Sequence, residues 1–334
     1  MTPELLFLGR LDREYILPME GAPILDRPGG SPLYAAGAAV IWAEKVGLVA
    51  RVGEDYPYKW LKEFSSRGID VKGVQIVPGS LDLRSFRAYE PDRELSRSNP
   101  VGHFARRELT FPKALLGYRP PEKKEQLQAE LLPTSPRVNE IPKEYLEAKA
   151  AHISPLDFLS QGQLLTALRA AGLPLITLDP APEYMYTHRM QDLRLFLDGL
   201  TAFIPSEEEM RSLFWGETHD LWEMAEALAD FGCQYILIKR GKEGQLLYDV
   251  DAKKRWVLPA YSSRVADPTG AGDAFCGGFL AGLQRSEDAL HAACYGNVAA
   301  SLSLEGSGPF YPLEVLPGLA DARLSAMLDM IREA

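Results

Sequence analysis

The sequence predicts an α/β fold: a doubly wound, mainly parallel sheet flanked by helices, with a small β-sheet flap at its ligand edge. Three observations predict it. Short apolar runs alternate with helical patterns over most of the 334 residues. Two extended pieces, at 15–24 and 83–89, have no helix between strand and strand. Late in the chain, a glycine-rich turn at 267–273 leads into small and apolar residues with helical spacing.

Residues 5–9 read as a buried first strand, because the N-terminus lacks a basic lead and its apolar run is too short for a signal segment. Residues 31–46 read as an alanine-rich helix. Gly29-Gly30-Ser31-Pro32 opens it, with Ser31 placed to cap and Pro32 at the first position. A plain loop-to-helix entry explains that tetrad as well as a ligand does. Strands follow at 48–52, 151–153, 175–178, 202–204 and 235–239, with helices at 161–171, 207–214 and 221–231. Ligands in such folds bind beyond the carboxyl ends of the strands. The pieces at 15–24 and 83–89 are expected to pair antiparallel. Residues 99–142 carry seven prolines and break the alternation. So long a stretch is usually functional or mobile, and its charged centre at 122–130 suits one short exposed helix.

The hydrophobic fraction of 46% supports a sizeable core, and the net charge of −10 argues against nucleic acid or an anionic membrane as the main partner. It does not argue against an anionic substrate, since backbone dipoles hold phosphates on acidic proteins. Cys233, Cys276 and Cys294 are scattered, odd in number and without metal-ligand spacing. Buried, reduced thiols in helical contexts are expected, which fits a cytoplasmic setting. No apolar run reaches membrane-spanning length.

Asp267-Pro268-Thr269-Gly270-Ala271-Gly272-Asp273 is the most informative stretch. Its glycines let backbone approach a ligand, and the first turn of the following helix points free N–H groups at it. That suits a phosphate. A carboxylate beside a phosphate is repulsive, so Asp273 needs another role, and taking a proton from an attacking hydroxyl supplies one. A first-turn acid is also favourable to the helix dipole alone. No GxxxxGK[ST] sequence exists, and G-x-G-x-x-G is unmet because Phe275 follows Gly272 by three. Lys239-Arg240-Gly241-Lys242-Glu243-Gly244 follows a strand and reads either as a phosphate clamp or as an ordinary β-turn. Ser206 and Glu209 form a capping box, a sufficient structural reason for both. The five histidines show no ligand pattern.

Taken in order, these segments resemble the ribokinase-like PfkB family of carbohydrate kinases. The double glycine, Gly53-Glu54-Asp55, Gly68-Ile69-Asp70 and the late Asp267–Asp273 signature carry the likeness. It covers nearly the whole chain as one kinase domain, 1–334, apart from the proline-rich insertion 99–142. The resemblance implies ATP-dependent phosphorylation of a hydroxyl, usually a primary one, on a sugar or polyol. It implies Asp273 as general base and the amides of Gly270, Ala271 and Gly272 as an anion hole. Lys239, Gly241, Gly244, Ser206 and Asn297 would line the nucleotide site. Glu209 would organise Mg²⁺ and Asp267 a monovalent cation such as K⁺. Asp12, Glu14, Gly29, Gly30, Tyr34 and Arg84 would face the substrate. Lid pieces at 12–27 and 80–110 would cover it and offer a homodimer contact.

The chain departs from the family pattern in places. Ser206 replaces an Asn, Pro268 stands second in the signature, and Asp12 and Glu14 replace an Asn and an Asp that hold sugar hydroxyls. Tyr34 stands where ribokinases place an Asn. Tyrosine cannot hold a diol from two sides, so a nucleoside stacked on Tyr34 is the neighbouring reading. A non-catalytic sugar- and nucleotide-binding regulator is the third, which an intact Asp273 disfavours.

Overall fold

The computed structural model describes residues 2–90, 95–120 and 131–332. In chain order its elements begin with β1 (Leu5–Leu8), β2 (Asp12–Leu17), β3 (Ile24–Gly29), α1 (Ser31–Ala39), β4 (Val46–Gly53), α2 (Tyr58–Ser66) and β5 (Ile69–Val77). Next come β6 (Arg84–Tyr89), β7 (Leu95–Ser96), α3 (Pro100–Arg106), β8 (Ala150–Ile153), α4 (Phe158–Ala170), β9 (Leu175–Leu178), α5 (Arg194–Leu197) and β10 (Ala202–Phe203). The chain closes with α6 (Glu207–Leu213), α7 (Leu221–Ala229), β11 (Tyr235–Lys239), β12 (Gln245–Asp249), β13 (Lys254–Leu258), α8 (Ala271–Ser286), α9 (Ala289–Leu304) and α10 (Leu319–Arg332).

The large sheet has the order β13-β12-β11-β10-β9-β8-β1-β4-β5. All neighbours from β11 to β5 pair parallel, and β12 and β13 add an antiparallel edge. From β1 the chain first builds outward through β4 and β5, then returns to β8 on the other flank. Strand order therefore reverses between β1 and β8, where α/β sheets bind ligands. Both faces of β1 are covered, as its unbroken apolar run requires. Leu5 and Phe7 pack with Ala35, Ala36 and Leu280 on the α1/α8 side. Leu6 and Leu8 pack with Leu164 and Leu168 on the α4 side.

The small sheet has the order β3-β2-β6-β7. The two extended pieces do pair, but parallel: Arg13–Leu17 of β2 lie against Arg84–Ala88 of β6. The antiparallel partner of β2 is β3, since the chain turns back within 15–24. Insertion residues complete this unit. Phe104 and Leu115 are buried with Tyr15, Leu17, Phe86 and Ala88, and Phe111 and Tyr118 pack around them. The helix expected at 122–130 lies outside the described residues.

Two boundaries differ from expectation for one reason. The first helix ends at Ala39 rather than 46, and β4 starts at Val46 rather than 48. Parallel pairing of Val46 with Leu5 requires extended chain there, and tertiary pairing overrides alanine's helical preference. The cysteines are free and buried, but Cys233 sits in the turn before β11, not in a helix. Among the described residues, no helix is long and apolar enough to cross a membrane.

Candidate active site

A cavity of about 490 Å³ opens at the strand-order reversal. Its floor is the turn before α8, with Pro268, Thr269, Gly270 and Asp273. One wall comes from segments after β8, β9 and β10, including Phe158, Tyr184 and Glu209. The roof is the small sheet and the insertion, with Arg84, Phe86, Arg87, Tyr118 and Leu132. Of the expected site residues, the fold brings Asp12, Arg84, Glu209, Gly270 and Asp273 to this one space.

Asp273 sits in the first turn of α8, the sixteen-residue helix behind the glycine-rich turn. Burial pushes its carboxyl above the ordinary aspartate value, and Lys239 and a hydrogen bond from Ser31 pull it back. Ser31 therefore serves Asp273; the cap position of α1 belongs to Gly30, which has φ 102 and no side-chain cap. The two glycines of the turn do different work. Gly270 adopts φ 79, and a Cβ there would meet the Tyr34 ring at 2.1 Å. A Cβ on Gly272 would meet only Lys239 Nζ, at 4.0 Å. The space above Gly272 is thus left open by the protein, next to an ammonium and the amino end of a long helix. That is the chemistry of an anion site.

Lys239 ends β11 and lies 2.5 Å from Asp179 Oδ2, just past β9. The Cys276 thiol completes this pocket, 3.8 Å from the ammonium and 3.6 Å from the carboxylate. Burial pushes Asp179 up. Burial alone would lower Lys239, but the Asp179 charge overcomes it and holds the lysine protonated. Sequence reading missed Asp179. Its signal was position: an acid directly after a parallel strand, at the ligand edge of the sheet.

Ser206 and Glu209 form the capping box of α6: Ser206 N–H donates to Glu209 Oε2 at 2.7 Å, and Glu209 N–H to Ser206 Oγ at 3.2 Å. One Glu209 oxygen is therefore spent on the helix, and the carboxyl still lines the cavity. Among the described residues no group of three or more His, Cys, Asp or Glu could hold a metal by itself. This donor set fits Mg²⁺ only as that ion usually binds, through one or two carboxylates, waters and substrate phosphates.

Glu14 and Tyr34 lie under the site rather than in it. Glu14 is 0% exposed and Tyr34 2%. Tyr34 donates to Glu14 Oε2 at 2.8 Å and accepts from Arg27 at 2.9 Å, with Gly270 against its ring. The expected stacking of a base on Tyr34 is corrected by this burial: its ring is already covered. Gly29 is needed because a Cβ would strike the Glu14 carboxyl at 2.1 Å. Gly244 packs against the backbone of Leu258, while Gly241 faces open space. Asn297 is 2% exposed and fully engaged, bonding Tyr261 N–H, Pro259 O and Gln245 Oε1. It shapes the 259–261 loop and does not project into the cavity. The small sheet is tied to the glycine-rich turn by Tyr89 and Thr269, whose hydroxyls lie 2.8 Å apart. His152 is buried, bonded to Thr177 and pushed down to about 3 by burial, then by Lys239, so it stays neutral and structural.

Comparison with known proteins bears on family and fold. The model for the pfkB family of carbohydrate kinases matches residues 144–316. The chain is 31% identical over 284 residues to a cytidine kinase of Thermococcus kodakarensis, covering 84% of this chain and 89% of that one. A putative ribokinase II from E. coli, solved with ATP and Mg²⁺, superposes with TM-score 0.70 at 19% identity, covering 97% and 99% of the two chains. A nucleoside kinase of Burkholderia thailandensis, solved with inosine, superposes with TM-score 0.68 at 19% identity, covering 96% of each. At those identities the two structures show a shared fold.

Proposed function

The chain belongs to the pfkB family of carbohydrate kinases and is a phosphotransferase with an alcohol acceptor, and from that premise we propose that it transfers the terminal phosphate of ATP to the primary hydroxyl of a nucleoside. The observation that carries the acceptor is the cavity wall. Among charged groups that include Asp12, Arg84 and Arg87, it presents three half-buried aromatic and apolar side chains, Tyr118, Leu132 and Phe158. A free sugar is polar on every side and leaves such a wall unused, whereas a planar base covers it. The likeness to a cytidine kinase supports the same reading, which reverses the order of sugar and nucleoside drawn from sequence.

In this mechanism the acceptor hydroxyl lies against Asp273, whose raised affinity for protons suits a base. The carboxylate takes the hydroxyl proton as the oxygen bonds to the terminal phosphorus. The bond from that phosphorus to the bridging oxygen breaks, and ADP leaves. Negative charge on the transferred group meets the amides of Gly270 and Gly272 and the ammonium of Lys239; the Ala271 amide, expected to share this role, donates instead to Pro268 O at 3.3 Å. Bound Mg²⁺ would neutralise phosphate oxygens, and the free oxygen of Glu209 would face its water shell. The small sheet, held by Tyr89 to Thr269, excludes water over the acceptor.

A panel of nucleosides, free sugars and polyols scored by ADP release tests this. Nucleosides are expected to show the higher kcat/KM. Turnover of sugars with none of nucleosides would restore the sugar reading, and no turnover with any acceptor would favour a binding regulator.

A further inference from the structure

Asp267 stands where the family resemblance expects a ligand to a monovalent cation, yet its surroundings do not fit one. Its Oδ1 accepts from the Thr269 amide at 2.9 Å. Its Oδ2 accepts from the Ser307 hydroxyl. The Arg27 guanidinium lies 3.6 Å from that same oxygen and donates to Ser307 Oγ at 2.5 Å. Asp267 is 3% exposed. A metal cation brought to it would share a buried carboxylate with a guanidinium, and like charges repel strongly where little water separates them.

The neighbouring charges also balance. Arg10 lies 3.1 Å from Asp12. Arg87 reaches Glu14 at 3.1 Å and Asp12 at 3.8 Å. Arg27 reaches Glu14 at 3.0 Å as well as Asp267. Three cations face three carboxylates in one chain of pairs, which leaves no unmatched carboxylate for an added ion.

The small sheet aims Arg27. The register of β2 and β3 shifts between Glu14 and Tyr15, leaving Asp26 as an extra residue with φ 57. Arg13 holds Asp26 with two bonds of 2.7 Å. Such a bulge redirects the next side chain, and Arg27 comes to lie opposite Glu14, pointing at the catalytic turn.

We infer that Arg27 is the resident cation of this turn, a positioning residue that holds Asp267 and lets the enzyme work without a monovalent metal. The inference rests on the phosphotransferase reading, but its melting test does not need turnover.

The test compares KCl with tetramethylammonium chloride at equal ionic strength. The parent's kcat is expected to agree within about twofold between the two salts, and its Tm to stay the same, because a site that binds no ion gains no stability from it. Arg27→Met is expected to lose at least about tenfold in kcat without KCl, and to gain both Tm and turnover when KCl is added. Arg27→Lys keeps the charge and is expected to ignore KCl like the parent. A parent that melts higher in KCl, or is activated about tenfold by it, would overturn the inference. So would an Arg27→Met protein as indifferent to KCl as the parent. Should Arg27→Met fail to fold, the parent and Arg27→Lys still decide. Absence of turnover with every acceptor would sink the phosphotransferase reading, while the KCl melting curves would still judge Arg27.

Discussion

Lys239 and Asp179 clasp each other across β10: the ammonium closing β11 lies 2.5 Å from the carboxylate that follows β9. The pair fixes a positive charge beside the open space above Gly272. Lys239→Met should lower kcat by about 10²-fold, the scale of losing one preorganised donor to transition-state charge. KM for the acceptor should move little. Asp179→Asn should lower Tm, since removing one partner of a buried ion pair costs about 3–5 kcal/mol. Steady-state kinetics and thermal melting check both, and a fully active Lys239→Met would take the lysine out of the phosphate site.

Asp273→Asn should keep ATP affinity and lose at least about 10²-fold in turnover, as expected for a general base. Fluorescence titration with ATP and single-turnover kinetics separate the two effects. Unchanged turnover would remove Asp273 from its role.

The pH profile has a definite sign. Asp273 must be deprotonated to act, and burial raises its pKa. The acid limb of kcat/KM should therefore rise with pH through a value above that of an ordinary aspartate, about 3.9. Lys239 opposes the shift. Removing that charge in Lys239→Met should move the limb to higher pH. A limb that stays put, or moves down, would mean another group is titrating.

The two glycines of the turn should separate folding from function. Gly270→Ala meets the Tyr34 ring and sits at φ 79, so it should cost about 1–3 kcal/mol of stability. Gly272→Ala meets nothing in the protein closer than 4.0 Å. It should melt like the parent while losing activity, because its methyl fills the anion site. Equal effects of both on Tm would contradict that distinction.

Glu209→Gln should raise the Mg²⁺ concentration needed for half-maximal rate without changing Tm, because glutamine preserves a capping box. If the Mg²⁺ titration overlays the parent's, Glu209 is only a cap.

The glycine turn and helix start proposed to hold phosphate were legible in sequence because they are local: the turn, the helix start and the acid lie within seven residues, Asp267 to Asp273. The capping box of Ser206 and Glu209 was legible for the same reason. Asp179 was not, because nothing near it in the chain distinguishes it from any acid after a strand. Its partner is sixty residues away. Tyr34 was misread as a stacking face because residue type does not reveal that Gly270, far along the chain, covers its ring. The parallel pairing of β2 with β6 was hidden too, since both orientations suit the same side-chain alternation.

The sequence by itself determined the class of fold, the glycine-rich turn and the acid in the helix turn that follows it, because periodicity, capping and glycine-dependent turns are properties of short segments. Tertiary structure alone decided which charges meet. Only long-range packing brings Arg27 to Asp267 and Lys239 to Asp179, and in a buried, low-dielectric setting such meetings decide which groups hold protons and which sites have room for an ion.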